Sequence, residues 1–203
     1  MSNIFYLDLP DLPESIASRL IAGCKTIKIS QDRLDRCRQR FEFHAPVAVQ
    51  EYGNENSQLP RDIIEELSAL YGKFFKGGVM SIYGLAKNVA DAPSLTPPHT
   101  DRGRRVAINY LLQTGGTNVV TSFYTERNPE DADLSASLHR SYEQVTVESQ
   151  VVVQAHRWHC FNPQQFHSVE NIETERYYLS LSLYHNNSYE DFVKQYAHLL
   201  IRS

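Results

Sequence analysis

Hydrophobic and polar positions alternate along this chain in two rhythms. The N-terminal third follows the helical one. DLPESIASRLIAGC (11–24) predicts a helix, capped by Asp11 and stopped by Gly23. TIKIS (26–30) alternates like a short strand. QDRLDRCRQRFEFH (31–44) carries charges too dense to decide between a helix and a strand edge. LPRDIIEELSALYGKFFKGG (59–78) is the clearest helix: Pro60 suits its first turn, acids follow, and Gly77 and Gly78 end it.

From Val79 the rhythm changes to short β-branched and aromatic runs separated by turn residues. These are VMSIY, RVAINYLL, TNVVTSFY, QVTVE, QVVVQA and RYYLSLSLY. Six strands without intervening helices favour an antiparallel sandwich or jelly roll over a parallel sheet. The tail, SYEDFVKQYAHLLI, predicts a closing helix over 188–201. Ser188 and Asp191 form its capping box, and Phe192, Tyr196, Leu199 and Leu200 lie on one face. The organisation expected is a single domain over 1–203, with an N-terminal helical region (residues 1–78), a β-rich core (79–184) and a C-terminal helix (188–201).

Composition narrows the classes. With 203 residues, 41% hydrophobic and 22% charged, the chain is long enough for one domain with a substantial core. A formal net charge of -4 argues against a protein built to grip nucleic acid. Cys24, Cys37 and Cys160 are far apart and form no metal or disulfide framework, which points to a reducing, cytoplasmic setting. The N-terminus lacks the basic-then-apolar pattern of a signal peptide. No run approaches the ~18 apolar residues of a membrane span.

Candidate chemistry concentrates in PPHTDRGRR (97–105). In an extended segment His99 and Asp101 point the same way and can share one ion. Taken alone, they read more readily as a salt-bridged pair in a turn. A third ligand is available in His167, which opens H-S-V-E-N at the start of a strand. Two histidines and a carboxylate leave three positions of an octahedral metal open, the facial arrangement of non-haem Fe(II) oxygenases. His156 and His159, in QAHRWHCFNP, are rivals for the third place. With Trp158 they are expected in the loop at the mouth, or packed against the core. His44, His139, His185 and His198 have no partners in sequence. Nine residues after His167, Arg176 opens the last strand, where a guanidinium suits a carboxylate ligand. Its alternative is a surface ion pair with Glu173 or Glu175.

The ordered set H-T-D, then H-S-V-E-N, then Arg176 in E-R-Y-Y-L-S-L resembles the Fe(II)- and 2-oxoglutarate-dependent dioxygenases, and among them the prolyl-hydroxylase-like branch. The resemblance covers roughly Val79 to Tyr184. It implies a mainly β fold with flanking helices, a double-stranded β-helix or cupin-like jelly roll with the metal near one mouth. It implies Fe(II) on His99, Asp101 and His167, and 2-oxoglutarate with its distal carboxylate on Arg176. Tyr83 matches a tyrosine that lines that pocket. Asn109 stands where the prolyl hydroxylases carry a tyrosine facing the cosubstrate, a departure that changes pocket shape. The activity implied is hydroxylation of an unactivated C–H bond with release of succinate and carbon dioxide. Asp101 is present where halogenases of the family carry a small residue, so hydroxylation is implied over halogenation.

The substrate expected is a small molecule, an amino acid or a peptide, and the sequence names no oligomeric state. Arg102, Arg104 and Arg105 lie beside the mouth, either as a solvated loop or as a lure for an acidic substrate. The polar stretch 125–141 is a candidate lid. Two other classes remain open: a cupin-like metal- and ligand-binding module without turnover, and a metal-dependent hydrolase or isomerase on the same barrel.

Overall fold

AINYLLQT (107–114) is buried along most of its length on both faces, so it needs a layer of protein above and below it. The computed structural model supplies both. It describes residues 3–26, 48–52, 60–72, 74, 78–86, 98–101, 104–127, 139–174, 176–183 and 188–202. In chain order these form β1 (Ile4–Leu7), α1 (Glu14–Thr26), β2 (Ala48–Tyr52), α2 (Arg61–Tyr71), β3 (Gly78–Ala86), β4 (Ala107–Thr114) and β5 (Val120–Glu126). There follow β6 (Val145–Val151), β7 (Trp158–Phe161), β8 (Phe166–Glu170), β9 (Arg176–Leu183), α3 (Tyr189–Gln195), a 3₁₀ turn (Ala197–Leu199) and β10 (Leu200–Arg202).

A seven-stranded sheet runs β10-β1-β7-β4-β9-β3-β2, and a three-stranded sheet runs β6-β5-β8. The pairings among these strands are antiparallel. Side-chain alternation then assigns each face a role. Ile108, Tyr110 and Leu112 of β4 join Trp158 and Cys160 of β7 and Leu179 and Leu181 of β9 on one side. Ile16 and Leu20 of α1, Ile63 and Leu67 of α2, and Phe192 of α3 pack against them. On the other side Ala107 and Leu111 meet Phe123 of the small sheet, with Ile4 and Phe161. Helices therefore cover the outer face, and the small sheet covers the inner one. This is the expected jelly roll, mainly β with flanking helices.

Several elements depart from the sequence expectation. The first helix begins at Glu14, because the Pro13 carbonyl accepts from the amides of Ile16 and Ala17 (3.0 Å each); Asp11 lies before it and Gly23 within it. The second helix ends at Tyr71, where the Gly72 amide bonds to the Ser68 carbonyl, six residues short of the glycine pair at 77 and 78. The C-terminal helix stops at Gln195, and Leu200–Arg202 extends to pair with β1, since an edge strand leaves donors and acceptors that another strand satisfies. QVTVE and QVVVQA are not two strands. One strand covers Val145–Val151 and the chain leaves the sheet at Val152, which is 60% exposed. The runs expected at 105–112 and 117–124 form strands at Ala107–Thr114 and Val120–Glu126. The strands β1, β2 and β7 had no forecast; two of them place sheet inside the region expected to be helical. Residues 27–30 of TIKIS and the undecided 31–44 stretch lie outside the described residues.

Candidate metal centre

His99 and His167 are brought together by their backbones. Each amide donates to the other's carbonyl at 3.0 Å, an isolated antiparallel bridge that extends the small sheet past β8. Directly paired residues of such a bridge carry their side chains on one face. The two rings accordingly lie 4.5 Å apart, tilted by 45°. Two residues on, the Asp101 amide donates to the Pro163 carbonyl at 2.9 Å, which keeps the strand alongside the 162–165 turn. Asp101 thus reaches the same face, as the HxD spacing requires.

One atom from each of these three side chains, His99, Asp101 and His167, lies within 4.8 Å of the others. Asp101 Oδ1 is 3.7 Å from His99 Nε2 and 4.0 Å from His167 Nε2. Nδ1 of His167 lies 2.9 Å from the Gln165 carbonyl, so that nitrogen carries the proton and Nε2 keeps its lone pair toward Asp101. Burial, with His99 beside it, pushes His167 down to about 4 against the opposing pull of Asp101; the ring is neutral at pH 7. Burial alone would raise Asp101, but His167, His99 and Arg104 outweigh it and hold the carboxyl below its ordinary value. A neutral imidazole and an ionised carboxylate are the forms that bind a metal.

The floor of the barrel beside this cluster is polar. His159 of β7 pairs in register with Asn109 of β4, and Asn109 with Ser180 of β9. All three are buried on the face opposite the helices. Ser180 Oγ donates to Asn109 Oδ1 at 2.8 Å. Arg104 reaches in from the loop: its Nη2 donates to Ser180 Oγ at 2.5 Å and to Asn109 Oδ1 at 3.2 Å, while Nη1 stands 3.6 Å from Asp101 Oδ2. Burial, then Arg176 and Arg104, drive His159 down to about 3.

Arg176, 5% exposed, begins β9 on the same face as Ser180 by strand alternation. Its Nη1 donates to the Thr114 carbonyl at 2.8 Å. The alternative ion pair to Glu173 does not form, and Glu175 lies outside the described residues. Among the described residues no carboxylate pairs with Arg176, and burial brings its guanidinium down to about 10. The β4–β5 turn fits closely against it. Gly115 has φ +84, its carbonyl accepts from the amides of Glu173 and Thr174 (2.8 Å each), and an added Cβ would stand 2.8 Å from Arg176 Cβ.

The sequence-derived candidates thus divide. His99, Asp101 and His167 converge. Asn109 lies on the floor near them, and Arg176 is buried on the same side of the sheet. Tyr83 stands on β3 in register with Tyr178, and its side chain lies outside the described residues, as does Arg102. Arg105 is exposed. His159, expected either in the mouth loop or packed against the core, is a buried strand residue inside the barrel; His156 is in an exposed turn with φ 57. Trp158 packs against the core, edge-on to Tyr71 at 4.8 Å. Most of the candidate lid, 128–138, lies outside the described residues. Its end is fixed: His139 bridges His99 on the side away from His167, with rings 5.8 Å apart, and Arg140 pairs with Glu126 at 2.7 Å. Sequence reasoning missed His139, Gln164 and Ser180. No spacing marks them, because they reach the site only through long-range pairing. A cleft of about 510 Å³ elsewhere, lined by Leu9, Asp11, His156 and Trp158 among others, includes none of the triad.

No family model matches the sequence, and no curated protein matches it. Solved structures do match in fold. EvdMO1 superposes with a TM-score of 0.50 at 16% identity, covering 92% of this chain and 48% of that one. A Pseudomonas putida prolyl-4-hydroxylase gives 0.46 at 14%, covering 89% and 92%. A Trichoplax adhaerens prolyl hydroxylase, solved with a peptide of hypoxia inducible factor, gives 0.44 at 13%, covering 89% and 83%. At 16% identity the likeness to EvdMO1 is one of fold.

Proposed function

We propose that this chain is a non-haem iron oxygenase in which His99, Asp101 and His167 hold Fe(II) and Arg176 holds 2-oxoglutarate. The observation that carries the reading is Arg176, a buried guanidinium with no carboxylate beside it among the described residues. Burying such a charge is costly unless an anion arrives to share it. The donor set supports the metal half: two imidazoles and one carboxylate suit Fe(II), and the three leave room for a chelating cosubstrate.

Bound together, iron and 2-oxoglutarate supply oxidation of an unactivated C–H bond with release of succinate and carbon dioxide. The chain's own contribution is orientation. The His99–His167 bridge fixes both rings, and the Gln165 carbonyl keeps Nε2 of His167 free. Arg176 takes the distal carboxylate in a fork. Asn109, with Oδ1 already used by Ser180 and Arg104, offers Nδ2 as a donor. The apolar lining from Phe123 and Phe161 around His167 limits water at the site. A small molecule, an amino acid or a peptide is the substrate, and the cytoplasm the setting. Among the described residues no helix is long and apolar enough to cross a membrane.

The test is anaerobic addition of 2-oxoglutarate to the Fe(II)-loaded chain. A weak visible charge-transfer band is expected, absent in His167→Ala. Arg176→Ala is expected to weaken 2-oxoglutarate by about 10- to 100-fold. Iron binding without a band would instead favour a ligand-binding module without turnover.

A further inference from the structure

We infer that Arg104 is a positioning residue for the metal centre: it holds one oxygen of Asp101 so that only the other faces the histidines. The inference rests on the metal reading above. Oδ1 lies 3.7 and 4.0 Å from the two imidazole nitrogens, whereas Oδ2 faces Arg104 Nη1 at 3.6 Å. The carboxylate is thereby divided into a metal oxygen and an arginine oxygen. A freely rotating carboxylate would offer both to the ion and take up a position meant for cosubstrate or oxygen.

Both ends of Arg104 are held. At the guanidinium, Nε donates to the Val106 carbonyl at 3.2 Å, and Nη2 bonds to Ser180 Oγ and Asn109 Oδ1. The Ser180–Asn109 bond closes this group into a ring. At the backbone, Gln164 Nε2 donates to the carbonyls of Asp101 (2.6 Å) and of Arg104 (2.7 Å). One side-chain amide therefore holds the backbone of the ligand Asp101 and of the positioner Arg104 together. A planar group with three nitrogens serves these three directions at once; an ammonium serves one or two.

Electrostatics alone works against this placement. A guanidinium this close to the triad repels a divalent ion even in a water-like medium. A merely adjacent cation would weaken metal binding, so the geometric gain must exceed that cost. This separates the two roles experimentally. Arg104→Lys keeps the charge and removes the fork. Ser180→Ala removes a single oxygen that bonds to Arg104 and Asn109 and so can act on the triad only through them.

Co(II) titration of the whole chain reads affinity, and the visible Co(II) absorption reads the ligand field, neither requiring turnover. Arg104→Lys is expected to weaken Co(II) about 10-fold with an altered absorption envelope, and Ser180→Ala about 3-fold. In the double variant the serine change should add nothing, because its effect passes through the fork. Circular dichroism and melting of each variant establish that it is folded. Wild-type affinity and absorption in folded Arg104→Lys would overturn the inference, as would a serine effect undiminished in the double variant. A wild-type chain that takes up no Co(II) would sink the metal reading itself, and this inference with it.

Discussion

His159 shows how far a single side chain's role depends on its surroundings. In the sequence it is one of two histidines flanking Trp158. In the fold it is buried, and that burial, with Arg176 and Arg104 added, pushes its pKa down to about 3. The unfolded chain takes up a proton there near pH 6.5. Between those values the unfolded state binds more protons, so stability falls as pH drops through the window, by about 1.4 kcal/mol per pH unit for this one group. The difference in urea-unfolding free energy between pH 7 and pH 4.5 should therefore be smaller by about 3 kcal/mol in His159→Asn than in wild type. An unchanged difference would mean that the ring is protonated in the folded chain. At this scale the triad was legible, since HxD places two of its side chains together by strand alternation alone. Arg104 was read only as a charge beside the mouth, and Gln164 and Ser180 not at all, because their partners lie as far as 76 positions away.

Among the elements, the β4–β5 turn is the most exacting. TGGTN reads only as a turn, yet Gly115 must satisfy two demands at once. Its φ of +84 suits a residue without Cβ, and a Cβ there would press on Arg176 at 2.8 Å. Gly115→Ala is expected to cost about 1–3 kcal/mol from the backbone. If Arg176 holds 2-oxoglutarate as proposed, the change should also weaken 2-oxoglutarate more than Co(II), since it displaces that arginine and leaves the triad alone. Equal losses for both ligands would show a global rather than a local effect. The strands β3, β4, β5 and β9 were foreseen from their β-branched and aromatic runs to within a few residues, and β8 from the H-S-V-E-N opening at His167. The short strands β1, β7 and β10 were not. IFYL, WHCF and LIR are too brief for a period, and their extended state is decided by neighbours that supply hydrogen bonds.

For the whole molecule, the metal would be clasped between segments distant in sequence, His99 and Asp101 on one and His167 on another. An ion bound there stabilises only the folded chain. At 100 times its Kd it adds about 2.7 kcal/mol, which for a chain of this size raises Tm by roughly 5–10 °C. A melt with and without Co(II) should show that rise, and His167→Ala should abolish it. A rise of the same size in the variant would place the ion elsewhere.

The sequence by itself determined the β-rich class, the presence of flanking helices and the identities of the three side chains that converge, because periodicity and short spacing act locally along the chain. The tertiary structure alone decided that the 98–101 segment pairs with β8, that Arg176 is buried with no acid beside it among the described residues, and that Arg104 turns inward to Asp101 and Ser180. Those outcomes depend on register between distant strands and on which charges the packed core leaves unpaired. Neither quantity exists until the sheets have closed on each other.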